Sequence, residues 1–161
     1  MVDVRIRFIE RTLPENRRGF AEKIVRRALE KRGCEVWRGG YLHAPERTSY
    51  PNVLNKYARC LELLTEQGYD VYALIRLCKR HKGMPDFLVY DKTTFYFVEA
   101  KLEHEQLSRT QRWCIEELSR LGICVEVHKV CAQAKGREWI LNVVTGEKVV
   151  CEEQKRLKKR Y

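Results

Sequence analysis

The chain has 161 residues, enough for one domain with a proper core and too few for two ordinary ones. Its 32 Lys and Arg against 22 acids leave a net charge of +10, which suits a phosphate-rich partner, nucleic acid ahead of an anionic membrane surface. No apolar run approaches the roughly 20 residues of a membrane span, the first residues lack a signal-peptide core, and seven cysteines without a Cys-x-x-Cys pair indicate neither a zinc ribbon nor a disulfide framework.

In chain order, Thr12-Leu13-Pro14-Glu15 has the Thr-x-x-Glu form of a capping box and predicts a first helix opening there and stopping at Gly33. Ala21, Ile24, Val25, Ala28 and Leu29 form its apolar stripe. Glu22 flanks that stripe, where the simplest role for it is a solvated partner of Arg26. Glu35-Val36-Trp37-Arg38 reads as a short strand broken by Gly39-Gly40.

Two helical patterns follow, residues 53 to 67 and, after a capping Asp70, residues 71 to 81. Leu54, Tyr57, Ala58, Leu61 and Leu64 make the stripe of the first. The second ends in Arg76, Lys79, Arg80, His81 and Lys82, a cluster that either opposes a helix dipole or reaches towards phosphate. Cys78 continues an apolar pattern, so the cysteines read as small reduced core residues.

Gly83-Met84-Pro85-Asp86 then opens a hairpin of strands Phe87-Leu88-Val89-Tyr90 and Phe95-Tyr96-Phe97-Val98. A tight hairpin would bring Asp86 and Glu99 close enough to share a hard divalent cation. Lys101 points the same way as Glu99, because strand side chains alternate faces. Ser108-Arg109-Thr110-Gln111 is a second capping box, opening a helix through Ile115 and Leu118 to Gly122. Residues 123 to 130 alternate as a strand, residues 138 to 150 as a hairpin around Thr145-Gly146, and residues 152 to 161 form a basic tail.

Pro85-Asp86 followed by Glu99-Ala100-Lys101 resembles the PD-(D/E)xK nuclease superfamily. The Gly-x-Pro-Asp turn, the strand into Glu-x-Lys, and Leu107-Ser108 with Gln111 resemble its VRR-NUC branch. Glu22, Gly33 and the strand ending in Arg38 are similar to the first helix and strand of archaeal Holliday-junction resolvases. The resemblance spans roughly residues 15 to 40 and 83 to 130. It implies an α/β, restriction-endonuclease-like fold, a mixed central sheet with the first helix on one face and the Ser108 helix on the other, in a single domain interrupted by a helical insert over residues 41 to 82.

The family's site maps onto Asp86, Glu99 and the Ala100 carbonyl as metal ligands, with Glu22 reaching the metal through water. Lys101 would position or deprotonate the attacking water, or stabilise the phosphate, and Gln111 would touch the metal-bound water or a phosphate. Mg²⁺ is the expected cofactor, with Mn²⁺ substituting. Nucleic-acid contacts are expected from Arg38, Arg76, Lys79, Arg80, Lys82, Ser108 and Arg109. The activity implied is a metal-dependent endonuclease on branched, junction or flap DNA, acting as a homodimer in the cytoplasm at the nucleoid. A restriction- or repair-type nuclease on duplex or single-stranded DNA and a non-catalytic nucleic-acid binder are the alternatives.

Overall fold

The computed structural model describes residues 2–80, 82–134 and 137–151. Its strands are β1 (Asp3–Glu10), β2 (Glu35–Arg38), β3 (Phe87–Tyr90), β4 (Phe95–Leu102), β5 (Cys124–Cys131), β6 (Glu138–Asn142) and β7 (Lys148–Val150). They form one sheet in the order β2-β3-β4-β5-β1-β6-β7. β5 runs parallel to both β4 and β1, and the other pairs are antiparallel, so the sheet is mixed as expected. A parallel neighbour needs a crossover, and the helix between β4 and β5 provides it.

The helices are α1 (Phe20–Lys31), α2 (Pro51–Glu66), α3 (Val71–Arg80) and α4 (Arg109–Arg120). Ala21, Val25 and Leu29 of α1 pack on one face of the sheet against Val36, Val89 and Val98. On the other face, Ile115 and Leu118 of α4 share a core with Ile6, Phe97 and Val127. Each such side chain, fully buried, contributes about 1.5–3 kcal/mol of transfer free energy.

The insert belongs to this second core. Tyr57, Cys60 and Leu64 of α2 and Leu74 of α3 pack with Trp37 and Leu88. The Trp37 indole donates to the Lys56 carbonyl (3.0 Å), and Arg59 grips Glu35 with two bonds of 2.6 and 2.9 Å. Asp70 caps α3 as expected, accepting from the Ala73 N–H at 3.0 Å. The apolar stripe of α2 is rotated from the expected one, with Ala58 exposed and Cys60 fully buried in its place. A cysteine packs there as a small hydrophobe. None of the seven cysteines is in a disulfide; Cys60, Cys78, Cys114 and Cys131 are buried, whereas Cys124 is exposed.

Two other expectations change. The first helix begins at Phe20, because the chain at Arg11 is still bonded to the sheet through Cys131 (2.9 Å) and a turn from Arg17 to Phe20 (3.1 Å) precedes the helix. The Thr12-x-x-Glu pattern therefore caps nothing. Sequence reading also missed β1, which lies between β5 and β6 with Val4 and Ile6 essentially inaccessible to solvent. Its signal was the alternation of Val4, Ile6 and Phe8 with Asp3, Arg5 and Arg7. The expected strand over residues 123 to 130 and the hairpin over 138 to 150 are present as β5 and as β6 with β7. His81 and the tail over residues 152 to 161 lie outside the described residues.

Gly39 does more than break a strand. Its N–H donates to the Asp86 carbonyl at 2.9 Å, and a Cβ there would stand 2.1 Å from the Pro85 carbonyl oxygen and 3.2 Å from the Phe97 ring. Only glycine admits this approach. Gly39→Ala should cost about 1–3 kcal/mol in urea unfolding, as overpacking does. Gly40→Ala, whose nearest neighbour would be Met84 at 4.0 Å, should change stability by less than about 0.5 kcal/mol.

Candidate active site

The β3–β4 hairpin sets the geometry. Asp91 closes its turn by accepting from the Thr93 and Thr94 N–H groups at 2.9 and 2.8 Å. Phe87 pairs with Val98, so Asp86 stands opposite Glu99. Each acid then binds the other strand's backbone: Asp86 N–H donates to Glu99 Oε2 at 3.2 Å, and Ala100 N–H donates to Asp86 Oδ2 at 2.9 Å.

Glu99 is only 5% exposed, on a strand flanked by β3 and β5. Burial, and then the neighbouring Asp86 carboxylate, pushes its pKa up to about 8, against the pull of Lys101. Burial also raises Asp86, and the Glu22 charge adds to that rise, while the Ala100 N–H opposes it. Lys101 Nζ lies 3.5 Å from Glu99 Oε1. Gln111 approaches from α4, its Nε2 donating to the same oxygen at 2.7 Å.

Capping and site roles coincide in Gln111. Its Oε1 accepts from the Ser108 N–H (2.9 Å) while Ser108 Oγ accepts from the Gln111 N–H (3.1 Å), completing the expected capping box. The amide nitrogen is thereby left to face Glu99. One side chain both starts α4 and fixes the carboxylate.

Asp86 opens into a cleft of about 590 Å³ lined also by Glu22, Lys23, Arg26, Arg38 and Tyr41. Arg26 bonds Glu30 at 3.0 Å rather than Glu22. Glu22 belongs to α1, packed on the face opposite α4, and lines the same cleft as Asp86. Among the described residues no three His, Cys, Asp or Glu side chains form a ready metal-binding group. Asp86 and Glu99 come together, and Glu22 faces the same cleft.

The model of the VRR-NUC domain matches residues 16–132, a stretch that contains Glu22, Asp86, Glu99, Lys101 and Gln111. The chain belongs to the VRR-NUC domain family. This is a PD-(D/E)xK-like nuclease domain family, so the restriction-endonuclease-like mixed sheet is the fold expected of it. No curated protein and no solved structure matches the chain.

In this VRR-NUC domain the donor set suits a hard divalent cation. The buried Glu99 carboxylate and the half-buried Asp86 carboxylate face each other with one ammonium beside them, and oxygen ligands of that kind are what Mg²⁺ and Mn²⁺ take. Sequence reading missed Lys129, which is 4% exposed and paired in register with Lys101. Its Nζ donates to the Glu103 and Glu105 carbonyls at 3.0 and 2.8 Å, tying down the loop that leads from β4 to α4. Burial, then the Lys148 charge, lowers its pKa. The available signal was a lysine in the apolar phase of β5, after Val125 and Val127.

Arg38 lines the cleft, and Lys82 lines the neighbouring cavity. Lys79 pairs with Glu46 at 2.5 Å, and the Arg76 guanidinium lies over the Tyr72 ring at 5.4 Å. Arg80 and Arg109 are exposed. No described helix is long and apolar enough to cross a membrane.

Two outcomes follow from the carboxylate pair. An unfolded Glu99 titrates near 4.5 and the folded one near about 8, so its full contribution to stability is present below pH 4.5 and is lost as pH rises towards 8. With chelator present, thermal unfolding between pH 5 and 8.5 should show this fall, and Glu99→Gln should flatten it. Gln111→Glu keeps the capping oxygen but sets a second carboxylate against Glu99; α4 should persist by circular dichroism while turnover drops on the order of tenfold or more.

Proposed function

We propose that this VRR-NUC domain is a divalent-metal-dependent endonuclease that hydrolyses phosphodiester bonds in branched, junction or flapped DNA. The observation that carries the reading is the hydrogen-bonded meeting of Asp86, Glu99, Lys101 and Gln111 beside a cleft rimmed by cations. Asp86, Glu99 and the Ala100 carbonyl would hold Mg²⁺, with Glu22 binding through water. That ion supplies charge relief on the phosphate and a nucleophilic water at neutral pH.

The chain's own residues divide the remaining work. Lys101, 3.5 Å from Glu99 Oε1, brings a positive charge to the place where the pentacoordinate phosphate gathers negative charge. Gln111 holds Glu99 in one orientation, which keeps the carboxylate pre-organised. Arg38, Lys23 and Arg26 receive the flanking phosphates along the cleft. Cutting two strands of a junction symmetrically calls for a homodimer.

The test is incubation with Mg²⁺ or Mn²⁺ and a panel of junctions, flaps, duplexes and single strands, with the oligomeric state followed by sedimentation. Cleavage should favour branched substrates. Asp86→Ala and Glu99→Ala should each abolish it while DNA binding stays equal or tightens, because a carboxylate that repels phosphate has gone. Lys101→Ala should lower kcat strongly and leave metal affinity nearly unchanged, since an ammonium has no lone pair to ligate a cation. Robust cleavage by both carboxylate variants would overturn the assignment.

A further inference from the structure

A second cavity of about 660 Å³ lies next to the catalytic cleft, and Tyr41 lines both. Ala44 and Val53 give this second cavity an apolar floor, His43 stands beside Tyr41, and Arg47 and Lys82 supply two cations. Tyr41 is 52% exposed, in contrast to the buried aromatic rings of the core. Its ring stacks with the His43 ring at 6.3 Å and an interplanar angle of 19°, and the Arg38 guanidinium lies 5.6 Å from its centroid. His43 Nδ1 is buried without a hydrogen-bond partner among the described residues.

An exposed ring held in place, an apolar floor and flanking cations answer the parts of one nucleotide. The ring offers a face to a base, and the cations charge for the adjoining phosphates. A base inside a duplex cannot use them, because its faces are already stacked and its edge is paired. Burial, then Arg47, lowers the His43 pKa, which keeps the imidazole neutral and able to donate or accept.

We propose that Tyr41 is the stacking platform for an unpaired nucleobase next to the scissile phosphate, with that base seated in the Tyr41–His43 cavity. This rests on the nuclease reading above and narrows it: the DNA needs at least one unpaired nucleotide beside the cut. Selection for flaps over fully paired junctions and duplexes then comes from the first residues of the insert.

Binding separates this from catalysis. In an Asp86→Ala background, which does not cut, a flapped DNA carrying 2-aminopurine at the unpaired nucleotide beside the branch should be quenched on binding. Adding Tyr41→Ala should remove most of that quenching and weaken flap binding by about tenfold or more, the loss typical of one stacked base. Tyr41→Phe, which keeps the ring, should restore both. Affinity for a fully paired duplex of the same length should change less than about twofold, since phosphate contacts carry it. Unchanged quenching and affinity in Tyr41→Ala would overturn the platform, as would an equal loss on flap and duplex or failure of Tyr41→Phe to restore binding. Absence of cleavage by the wild-type chain would sink the nuclease reading alone and leave these binding results readable.

Discussion

A buried carboxylate, Glu99, and a half-buried one, Asp86, meet at the head of the β3–β4 hairpin, and much of the molecule is arranged around that fact. Removing a carboxylate from water costs several kcal/mol unless partners replace its hydration. Asp86 and Glu99 each obtain one backbone N–H from the opposite strand, and Lys101 and Gln111 converge on Glu99 Oε1. These partners do not cancel the penalty, since Glu99 still titrates near about 8. The site is therefore an electrostatic deficit built into the sheet, of the kind that the proposed divalent cation would relieve.

Holding such a pair in place needs rigid support on every side. Gly39 lets β2 approach the Pro85-Asp86 turn closely, and Gly83 does the same for α4, where a Cβ would lie 2.7 Å from the Thr110 carbonyl oxygen. Lys129 fastens the loop between β4 and α4, so Gln111 arrives at Glu99 from a fixed helix start. The insert completes the frame. Its Leu64 and Leu74 pack with Trp37 of β2 in the core beside the hairpin.

Cations around the site do different things according to distance and partner. Lys101 sits within reach of the carboxylates, Arg38 lines the open cleft, and Lys79 is engaged by Glu46. A net charge of +10 attracts a polyanion as a whole, but only side chains facing the cleft can act on a group that enters it. Composition alone cannot make that distinction.

What the sequence determined was what short-range rules encode. The Pro85-Asp86 turn, the alternation of the hairpin, the Ser108-Gln111 box and the spacing of Glu99 and Lys101 all act within a few residues, and each is found as expected. Local rules misled at Thr12, where a strand bond to Cys131 overrides the capping pattern, and at α2, where the tertiary core selects Cys60 over Ala58. They also passed over β1, whose alternation was legible in Val4, Ile6 and Phe8. Tertiary structure alone decided that Gln111 touches Glu99, that Lys129 secures the loop behind them, and that Tyr41 lines two cavities. Those contacts depend on how strands and helices from distant parts of the chain are laid against one another, and periodicity along the chain carries no record of that distance.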